Sequence, residues 1–326
     1  MVGFGVIGLG MGRNRARLIK ETPGADLKVV CDLHGDLAEE VAQELETDCV
    51  INMEHVFARD DVDVVMVMTP SGKHAQVGIE AAKAGKHVIT TKPMDVSTEA
   101  CDRLIAACEA AGVLCGVDYQ SRYVDGNVKI ATAIREGWLG KMILGEVRFK
   151  WFRNDEYFRH DDGWRGTWAM DGGGSLANQG AHLLDVLSWF MGDPVSVYGE
   201  IDIVNHEIET EDIGLAILNF ENGAKGTILG TTTFPQSVYF SAEVHGTEGG
   251  ILLHDVLNGE MTVYGTGLQE KLDSVENNVH SIVEDVVNAL TKGTPLSVDG
   301  REGRRTVALL EAVYQSAREG KPLKFK

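Results

Sequence analysis

A glycine-rich loop lies between the first apolar run of the sequence, residues 3–7, and a helical pattern. It reads Gly8-Leu9-Gly10-Met11-Gly12-Arg13. Gly8 permits a tight turn, Gly10 lets the backbone approach a ligand, and the start of the following helix offers N–H groups to negative charge. The loop predicts a pyrophosphate site, with a ligand-free glycine turn as the alternative. The third glycine of the usual pattern is missing at Arg13, which is expected to loosen the helix packing or to approach a phosphate.

An acidic residue stands where the second apolar run ends. Asp32 follows Gly10 by 22 residues, a position from which a carboxylate can accept hydrogen bonds from both ribose hydroxyls of an adenosine. The same carboxylate repels a 2′-phosphate, and the following Leu33-His34-Gly35 offers no arginine to neutralise one. The loop and Asp32 together predict a dinucleotide, with NAD preferred over NADP.

Two polar segments follow later apolar runs. They read Thr69-Pro70-Ser71-Gly72-Lys73-His74 and Thr90-Thr91-Lys92-Pro93-Met94. If the runs are parallel strands, both segments lie at the carboxyl edge of the sheet, where such sheets bind ligands. Pro93 biases Lys92 toward an extended backbone. We therefore predict a catalytic role for Lys92, with a solvated strand-end lysine as the alternative.

A third polar segment begins at Trp164-Arg165 and passes through Gly172-Gly173-Gly174 into a helical pattern over residues 175–191. Asn178, His182 and Asp185 would share one face of that helix. Histidine exchanges protons near neutral pH, so His182 is a candidate acid–base group. Indole and guanidinium groups suit a sugar or a carboxylate, so Trp164 and Arg165 are candidates for a substrate pocket. The alternatives are a structural histidine, or a metal site of His182 and Asp185 completed by His160 or Asp161.

The elements that position these motifs change in kind along the chain. Strand patterns at residues 3–7, 27–31, 62–68, 87–90 and 113–117 alternate with helical patterns, which predicts a doubly wound parallel α/β sheet. Beyond residue 122, strand patterns near 145–153, 195–203, 213–220, 224–233, 239–246, 251–254 and 260–264 predict a large open, mainly antiparallel sheet with a hairpin at Asn222-Gly223. Few helices remain to cover it. One face is therefore expected to pair with a second subunit, giving a homodimer or homotetramer.

Composition limits the possible partners. The chain of 326 residues carries 30 Lys and Arg against 49 Asp and Glu, a net charge of −19. Such a field repels nucleic acid and anionic membranes, and no run of 18 apolar residues is present. Five cysteines without a CxxC pair suit reduced thiols, so a cytoplasmic location is expected and neither disulfides nor a zinc site are.

Taken in order, these motifs resemble the Gfo/Idh/MocA oxidoreductases, which include glucose–fructose oxidoreductase and inositol dehydrogenases. The resemblance extends to Ala84-Gly85-Lys86-His87-Val88, Tyr119-Gln120-Ser121-Arg122-Tyr123, Gly246-Thr247-Glu248-Gly249 and Val298-Asp299-Gly300-Arg301-Glu302-Gly303-Arg304. It implies an N-terminal Rossmann domain at residues 1–121 and an α+β domain for substrate binding and oligomerisation at residues 122–326. Asn178 replaces an aspartate of many members and Thr91 replaces the usual glutamate, which leaves the reaction class intact and the substrate open.

The resemblance implies an NAD(P)-dependent dehydrogenase of a sugar, a polyol or a sugar derivative. The family's lysine and histidine correspond to Lys92 and His182, which we predict to be the acid–base pair, with Asn178 orienting. Residues expected to bind the cofactor are Gly8, Gly10, Met11, Gly12, Arg13, Asp32, Thr69, Pro70, His74, Lys92 and Gln120. Residues expected to contact the substrate are Lys92, Tyr119, Arg122, Trp164, Arg165, Asn178 and His182. A keto-sugar reductase working in the opposite direction and a cofactor-bound sensor without catalysis are the alternatives.

Overall fold

The computed structural model describes residues 1–160 and 163–325, and their contacts divide the chain into two units. Unit 1 comprises Met1–Asp118 and Ser281–Arg304, and unit 2 comprises Tyr119–His280 and Arg305–Lys326. A late segment, residues 281–304, thus packs with the N-terminal part of the chain. The assignment of cofactor binding to residues 1–121 and of substrate binding to residues 122–326 stays a prediction.

Unit 1 is built on a six-stranded parallel sheet of order β3-β2-β1-β4-β5-β6. Its strands are β1 (Val2–Ile7), β2 (Ala25–Cys31), β3 (Asp48–Val50), β4 (Val64–Val67), β5 (His87–Thr91) and β6 (Cys115–Asp118). The strand order reverses between β1 and β4, which opens a crevice at the carboxyl ends of the strands. The predicted doubly wound sheet is confirmed. The prediction missed β3, because three residues that begin with the exposed Asp48 form no apolar run.

Helices connect the strands of unit 1. They are α1 (Gly12–Glu21), α2 (Gly35–Leu45), α3 (Glu54–Phe57), α4 (His74–Lys83) and α5 (Thr98–Ala111), with a 3-10 turn at Ser71–Lys73 before α4. The strands β1 and β4 are buried along their whole length, as a sheet covered on both faces requires.

The outer edge of β6 is covered by the late segment of unit 1. Val117 N donates to Val298 O at 3.1 Å, and Gly116 pairs with Asp299 in an antiparallel bridge. Gly303 lies so close to Val117 that a Cβ at this glycine would overlap the valine side chain. The sheet edge is therefore closed by residues that the chain reaches much later.

Unit 2 contains a mixed eight-stranded sheet of order β13-β12-β11-β7-β10-β9-β8-β14. Its strands are β7 (Met142–Lys150), β8 (Pro194–Asp202), β9 (Ile213–Phe220), β10 (Lys225–Thr231), β11 (Tyr239–Gly246), β12 (Gly250–Leu253), β13 (Met261–Tyr264) and β14 (Leu323–Lys324). The pair β7 and β10 is parallel, and the other neighbours are antiparallel. The large, mainly antiparallel sheet is confirmed, and so is the hairpin at Asn222-Gly223, where Gly223 has a φ of 86°.

The remaining helices are α6 (Asp125–Arg135), α7 (Asp155–Arg159), α8 (Ala181–Met191), α9 (Leu268–Asp273), α10 (Ile282–Lys292) and α11 (Gly300–Glu319). Of these, α10 and the start of α11 belong to unit 1. Of the helices formed by residues 1–160 and 163–325, none combines the length and apolar character of a membrane span. All five cysteines carry free thiols.

The two faces of the eight-stranded sheet differ. On β9, Leu218 and Phe220 are buried in the core that also includes Leu183 and Leu187 of α8. The alternate residues of the same strand point the other way, and Leu215 and Ile217 are 42% and 55% exposed. This face carries apolar side chains that the described part of the chain leaves in contact with solvent.

Candidate active site

The glycine loop has the geometry that close approach of a ligand requires. Gly8 has a φ of 90°, and a Cβ there would lie 2.8 Å from the carbonyl carbon of Met68. A Cβ at Gly10 would meet nothing within 4 Å, so the middle of the loop faces open space. A Cβ at Gly12 would lie 3.1 Å from the Val6 side chain. Gly12 therefore provides the close helix–strand contact of the missing third glycine, and the expected loosening does not occur.

Arg13 faces away from the loop, toward α2. Its Nη1 donates to Glu40 Oε1 at 2.8 Å, and its Nε donates to Glu44 Oε2 at 2.8 Å. The guanidinium thus ties α1 to α2 at the surface. The prediction that Arg13 contacts the cofactor gains no support from this placement, because two carboxylates already use the charge.

Asp32 connects the end of β2 to the glycine loop. Its Oδ2 accepts from Leu9 N at 2.7 Å, and its Oδ1 accepts from His34 N at 2.9 Å. The carboxylate is mostly buried but retains an exposed fraction. Oδ1 also lies 3.0 Å from His34 Nδ1, so Oδ2 is the oxygen with a further lone pair that can accept from a ribose hydroxyl.

Two threonine hydroxyls lie buried at the carboxyl ends of β4 and β5. The Oγ1 atoms of Thr69 and Thr90 have no hydrogen-bond partner among the residues that the structure describes. Buried hydroxyls without partners are costly. The edge therefore has hydrogen-bonding capacity for a bound group, and together with the open Gly10 and the carboxylate of Asp32 it fits a dinucleotide.

Lys92 is half-buried directly after β5, and the Lys92–Pro93 peptide bond is cis. His74, the first residue of α4, is fully buried beside it. The His74 Nδ1 lies 2.9 Å from Pro93 O, and its Nε2 lies 2.7 Å from Thr69 O. Both ring nitrogens contact the main chain, so the prediction that His74 binds the cofactor gains no support from these contacts.

Two other residues predicted to bind the cofactor differ in burial. Pro70, next to Thr69, is half-buried, and Met11 in the glycine loop is exposed.

The predicted single helix over residues 175–191 is wrong. The chain forms a π-helical turn at Ser175–Gln179, in which Gly180 N donates to Ser175 O at 2.9 Å, and α8 begins only at Ala181. His182 and Asp185 lie on α8, and Asn178 lies on the preceding turn. The regular spacing expected for the three side chains therefore does not hold, and such single π turns are common at functional sites.

A buried glutamate holds this turn. Glu211 accepts from Gly174 N and Leu176 N at 2.8 Å each and from the Tyr314 hydroxyl at 3.0 Å. Burial raises the pKa of Glu211 to about 7, although these hydrogen bonds lower it. Sequence reasoning missed Glu211, because the run Glu209-Thr210-Glu211-Asp212 has the composition of a solvated turn.

Asn178 is held at both ends of its amide. Its Nδ2 donates to Asp171 Oδ1 at 2.7 Å, and its Oδ1 accepts from Gln179 Nε2 at 3.2 Å. Asp171 is buried and also accepts from Gly166 N at 2.8 Å. Asp171 is a second residue that the sequence analysis missed, although its place directly before the glycine triplet is a signal that could have pointed to it.

His182 is buried near the start of α8, with the ring edge of Tyr119 against it at 6.0 Å between centroids. One turn later, Asp185 accepts from Arg122 Nε at 2.7 Å and from Arg122 Nη2 at 2.8 Å. The guanidinium of Arg122 also stacks over the Trp189 ring at 4.6 Å. The buried pair makes Arg122 a partner of α8, and the prediction that Arg122 also contacts the substrate gains no support from it. For Asp185 two roles were open, a partner of His182 or a structural acceptor. In the structure, Asp185 binds Arg122.

The metal alternative can be compared with these contacts. The two oxygens of Asp185 each accept from Arg122. Among residues 1–160 and 163–325, no group of three or more His, Cys, Asp or Glu side chains could hold a metal ion. Asp161, one of the suggested third ligands, lies outside the described residues.

Trp164 and Arg165 belong to a cluster around Tyr157. The Arg165 guanidinium lies over the rings of Trp164 at 4.8 Å and of Tyr157 at 5.0 Å. Gln179 Nε2 donates to the Tyr157 hydroxyl at 2.7 Å, and Gln179 also contacts Asn178. The structure thus links Trp164 and Arg165 to Asn178 through this cluster.

Of the other predicted residues, Tyr119 is fully buried and Gln120 is exposed on a 3-10 turn (Gln120–Tyr123).

Comparison with known proteins gives the class. A family model described as an oxidoreductase family with an NAD-binding Rossmann fold matches residues 2–119, and the GFO/IDH/MocA C-terminal domain matches residues 128–252. The chain belongs to the GFO/IDH/MocA oxidoreductase family. It is an NAD-dependent oxidoreductase, and unit 1 contains the cofactor-binding Rossmann domain. The predicted family, enzyme class and cofactor are confirmed.

Three relatives show the range of this class. The WlbA dehydrogenase of Bordetella pertussis, solved with NADH and UDP-GlcNAcA, is 30% identical with a TM-score of 0.92, and the match covers 100% of this chain and 98% of that one. The D-apiose dehydrogenase of Paraburkholderia graminis is 24% identical, covering 98% of this chain and 89% of the relative. The myo-inositol 2-dehydrogenase of Thermotoga maritima is 26% identical, covering 99% and 98%.

Proposed function

We propose that the enzyme oxidises a carbinol carbon of a sugar, polyol or sugar derivative, with His182 and Lys92 as its catalytic residues. The observation that carries the proposal is the setting of His182: a buried histidine at the start of a helix, packed against Tyr119, in a chain of the NAD-dependent family. The related dehydrogenases of apiose and inositol support a polyhydroxylated substrate.

The glycine loop with Asp32 and the carboxyl ends of β4 and β5 would hold the cofactor. When bound, NAD supplies the hydride acceptor. His182 removes the hydroxyl proton, because imidazole can accept a proton at neutral pH. Lys92 donates a hydrogen bond to the same oxygen and stabilises the negative charge that develops there.

Asn178 has an orienting role in this proposal. An amide cannot exchange a proton as a carboxylic acid can. Because Asp171 and Gln179 hold the amide, its orientation is fixed before a substrate arrives. The same machinery supports reduction of a keto-sugar, since hydride transfer is reversible. A cofactor-bound sensor without turnover is the alternative outside enzymes.

A negatively charged sugar derivative is the candidate substrate that the residues near Asn178 favour most. Arg153 donates to Gln179 Oε1 at 2.8 Å, and its guanidinium and that of Arg165 lie over Tyr157 at 4.8 Å and 5.0 Å. The Arg153 Nε is buried without a hydrogen-bond partner in the described chain. Two guanidinium groups in a protein of net charge −19 suit a carboxylate or a phosphate. The related WlbA dehydrogenase was solved with UDP-GlcNAcA.

The proposal is tested by assaying neutral sugars, inositols, sugar acids and nucleotide-linked sugars with NAD and NADP. With the best substrate, Lys92→Met and His182→Ala should each lower kcat by roughly a hundredfold or more, the loss expected of acid–base groups. NADH affinity, measured by fluorescence, should change little. Asn178→Asp should also lower kcat, because the new carboxylate would replace the amide that donates to Asp171 Oδ1 and would face a second carboxylate at hydrogen-bond distance.

Lys73→Met is the control, because Lys73 is an exposed lysine at the end of the 3-10 turn before α4. It should retain kcat. Full activity of His182→Ala with an unaltered pH profile would place the base elsewhere, and NADH binding without turnover of any substrate in the panel would favour the sensor.

We also infer that the enzyme works in the cytoplasm, since five free thiols suit a reducing compartment. We propose a homo-oligomer formed through the exposed face of the eight-stranded sheet, on which Leu215 and Ile217 lie.

A further inference from the structure

His74 connects the ends of two neighbouring strands of unit 1. Its Nε2 lies 2.7 Å from Thr69 O, which follows β4, and its Nδ1 lies 2.9 Å from Pro93 O, which follows β5. The ring is fully buried, so water cannot replace either contact. Pro93 is bonded to Lys92, and a shift of the Pro93 carbonyl therefore moves the backbone of the lysine.

We propose that His74 is a positioning residue, which fixes the main chain that presents Lys92 by donating from Nδ1 to Pro93 O. This role of His74 rests on the proposed function only in the assumption that Lys92 is catalytic. A positioning residue acts through geometry, and misplacement of a reacting group by about 1 Å can cost on the order of a hundredfold in rate.

A carboxylate next to the ring supports the same arrangement. Asp95 is buried, and it accepts from Ala75 N and Val96 N at 2.7 Å each. It thereby joins the start of α4, which carries His74, to the segment that follows Pro93. His74 and Asp95 make three links between α4 and the chain around Lys92 and Thr69, all within unit 1.

The two carbonyl partners restrict the hydrogens on the ring. Carbonyl oxygens only accept, and neutral imidazole carries one N–H, so both contacts are hydrogen bonds only when both nitrogens carry hydrogen. Burial lowers the pKa of His74 below the ordinary value of histidine, although the two carbonyls and Asp95 act in the opposite direction, so the neutral ring with one N–H is favoured. The proposal requires a hydrogen on Nδ1, because Nδ1 faces Pro93 O and Pro93 is bonded to Lys92.

The first test measures the position of the segment without relying on activity. Hydrogen–deuterium exchange of the full-length protein should show faster exchange in peptides that contain residues 69–71 and 90–96 for His74→Phe, by roughly tenfold, because a held segment is released locally. His74→Gln, whose amide can donate to one carbonyl, should recover part of the protection. Unchanged exchange in both variants would overturn the proposal.

His87 provides the matched control. It lies on β5 at the opposite end of the strand, and its Nδ1 accepts from Leu114 N at 3.0 Å. His87→Phe also removes a main-chain contact of a histidine, here a half-buried one, but it should leave exchange at residues 90–96 unchanged and kcat within about twofold. If His87→Phe and His74→Phe gave the same exchange pattern, the effect would be general destabilisation and the proposal would fail.

The second test separates positioning from cofactor binding. His74→Phe should lower kcat by about tenfold or more while KM and the NADH dissociation constant change less than about threefold, and His74→Gln should rescue part of kcat. A parallel loss of NADH affinity would mean that His74 serves the cofactor. If Lys92→Met proves fully active, the proposed function fails, and the exchange data still decide the role of His74.

The third test locates the hydrogen. Long-range ¹H–¹⁵N spectra of histidine-labelled protein, with the His74 signals assigned by their loss in His74→Gln, should show a hydrogen on Nδ1. An Nδ1 without hydrogen at the pH of maximal activity would overturn the proposal.

Discussion

Asp32 has two partners in the protein besides any ribose. Its Oδ2 accepts from Leu9 N in the glycine loop, and its Oδ1 accepts from His34 N. The carboxylate is therefore fixed at the end of β2, and its charge cannot move away from a 2′-phosphate. A carboxylate fixed at this position discriminates strongly against a cofactor that carries a phosphate there.

We predict that the enzyme prefers NAD and that Asp32→Ser narrows its preference over NADP by about tenfold or more in kcat/KM. Asp32→Asn is the matched variant, because its amide oxygen can still accept from Leu9 N while the charge is gone. If the charge of Asp32 determines the preference for NAD over NADP, both variants should lose that preference. Only the serine variant should also show a large rise in KM for NAD. A wild type that favours NADP tenfold would contradict this reading of Asp32.

At this scale, local motifs are predictable and distant partners are not. Gly8, Gly10, Asp32 and Lys92 could be placed from the sequence, because a strand and the loop after it determine them together. Arg122 and Asp185 are 63 positions apart, so nothing local shows that they form an ion pair. The sequence therefore could not show that Asp185 is the partner of Arg122.

The π-helical turn at Ser175–Gln179 depends on an anchor from another element. Glu211, just before β9, holds Gly174 N and Leu176 N. A Cβ at Gly174 would overlap the backbone oxygen of Glu211, so only glycine allows this approach. The turn thus sets the position of Asn178 relative to α8.

We predict a pH-dependent stability that arises from Glu211. The pKa is raised from 4.5 to about 7 in the folded protein, mainly by burial. The folded state therefore binds the proton more tightly than the unfolded chain, and this contribution to the free energy of unfolding falls as pH rises from about 4.5 through about 7. In Glu211→Gln the contribution is absent. From pH 5 to pH 8, the difference in free energy of unfolding should move in favour of the variant by roughly 1–3 kcal/mol.

Urea unfolding at several pH values measures that difference. Glu209→Gln is the control, since Glu209 is an exposed carboxylate two residues away that accepts from Trp168 N. Its difference from the wild type should not follow the same curve. A Glu211→Gln difference that is independent of pH would show that the glutamate does not hold its proton more tightly in the folded state.

Most strands could be predicted, because alternation and buried apolar runs are local signals. The short strands β3 and β14 and the division of the 175–191 segment could not. Leu183, Leu184, Val186 and Leu187 continue the apolar pattern of a helix, so the sequence shows no break. The break at Gly180 is determined by tertiary contacts, since a Cβ there would lie 2.8 Å from the Phe149 ring.

The exposed face of the eight-stranded sheet is a feature of the whole molecule. A groove of about 550 Å³ lies on it, lined among others by Glu146, Arg148, Lys150, Glu200 and Ile217. Charges of both signs lie beside apolar side chains, a composition that can pair with a copy of itself about a twofold axis. An apolar face of this kind suits a partner subunit better than solvent.

We predict that light scattering at micromolar concentration reports a multiple of the 35.4 kDa chain mass. Ile217→Glu should shift the population toward monomer, because a buried unpaired charge is costly in an interface. Leu33→Glu is the control: Leu33 is 88% exposed and lies in unit 1. A wild type that scatters as a 35.4 kDa monomer would rule out the proposed assembly.

The covered edge of β6 has consequences for synthesis of the chain and for fragments cut from it. Val298 and Asp299 complete that edge, and the ribosome reaches them more than half of the chain after β6. Until then the unpaired N–H and C=O groups of β6 remain open to strands of other nascent chains, a known route to aggregation. A fragment cut near residue 121 would keep this edge open permanently. The cofactor-binding half can therefore be transplanted into a chimera only together with residues 281–304.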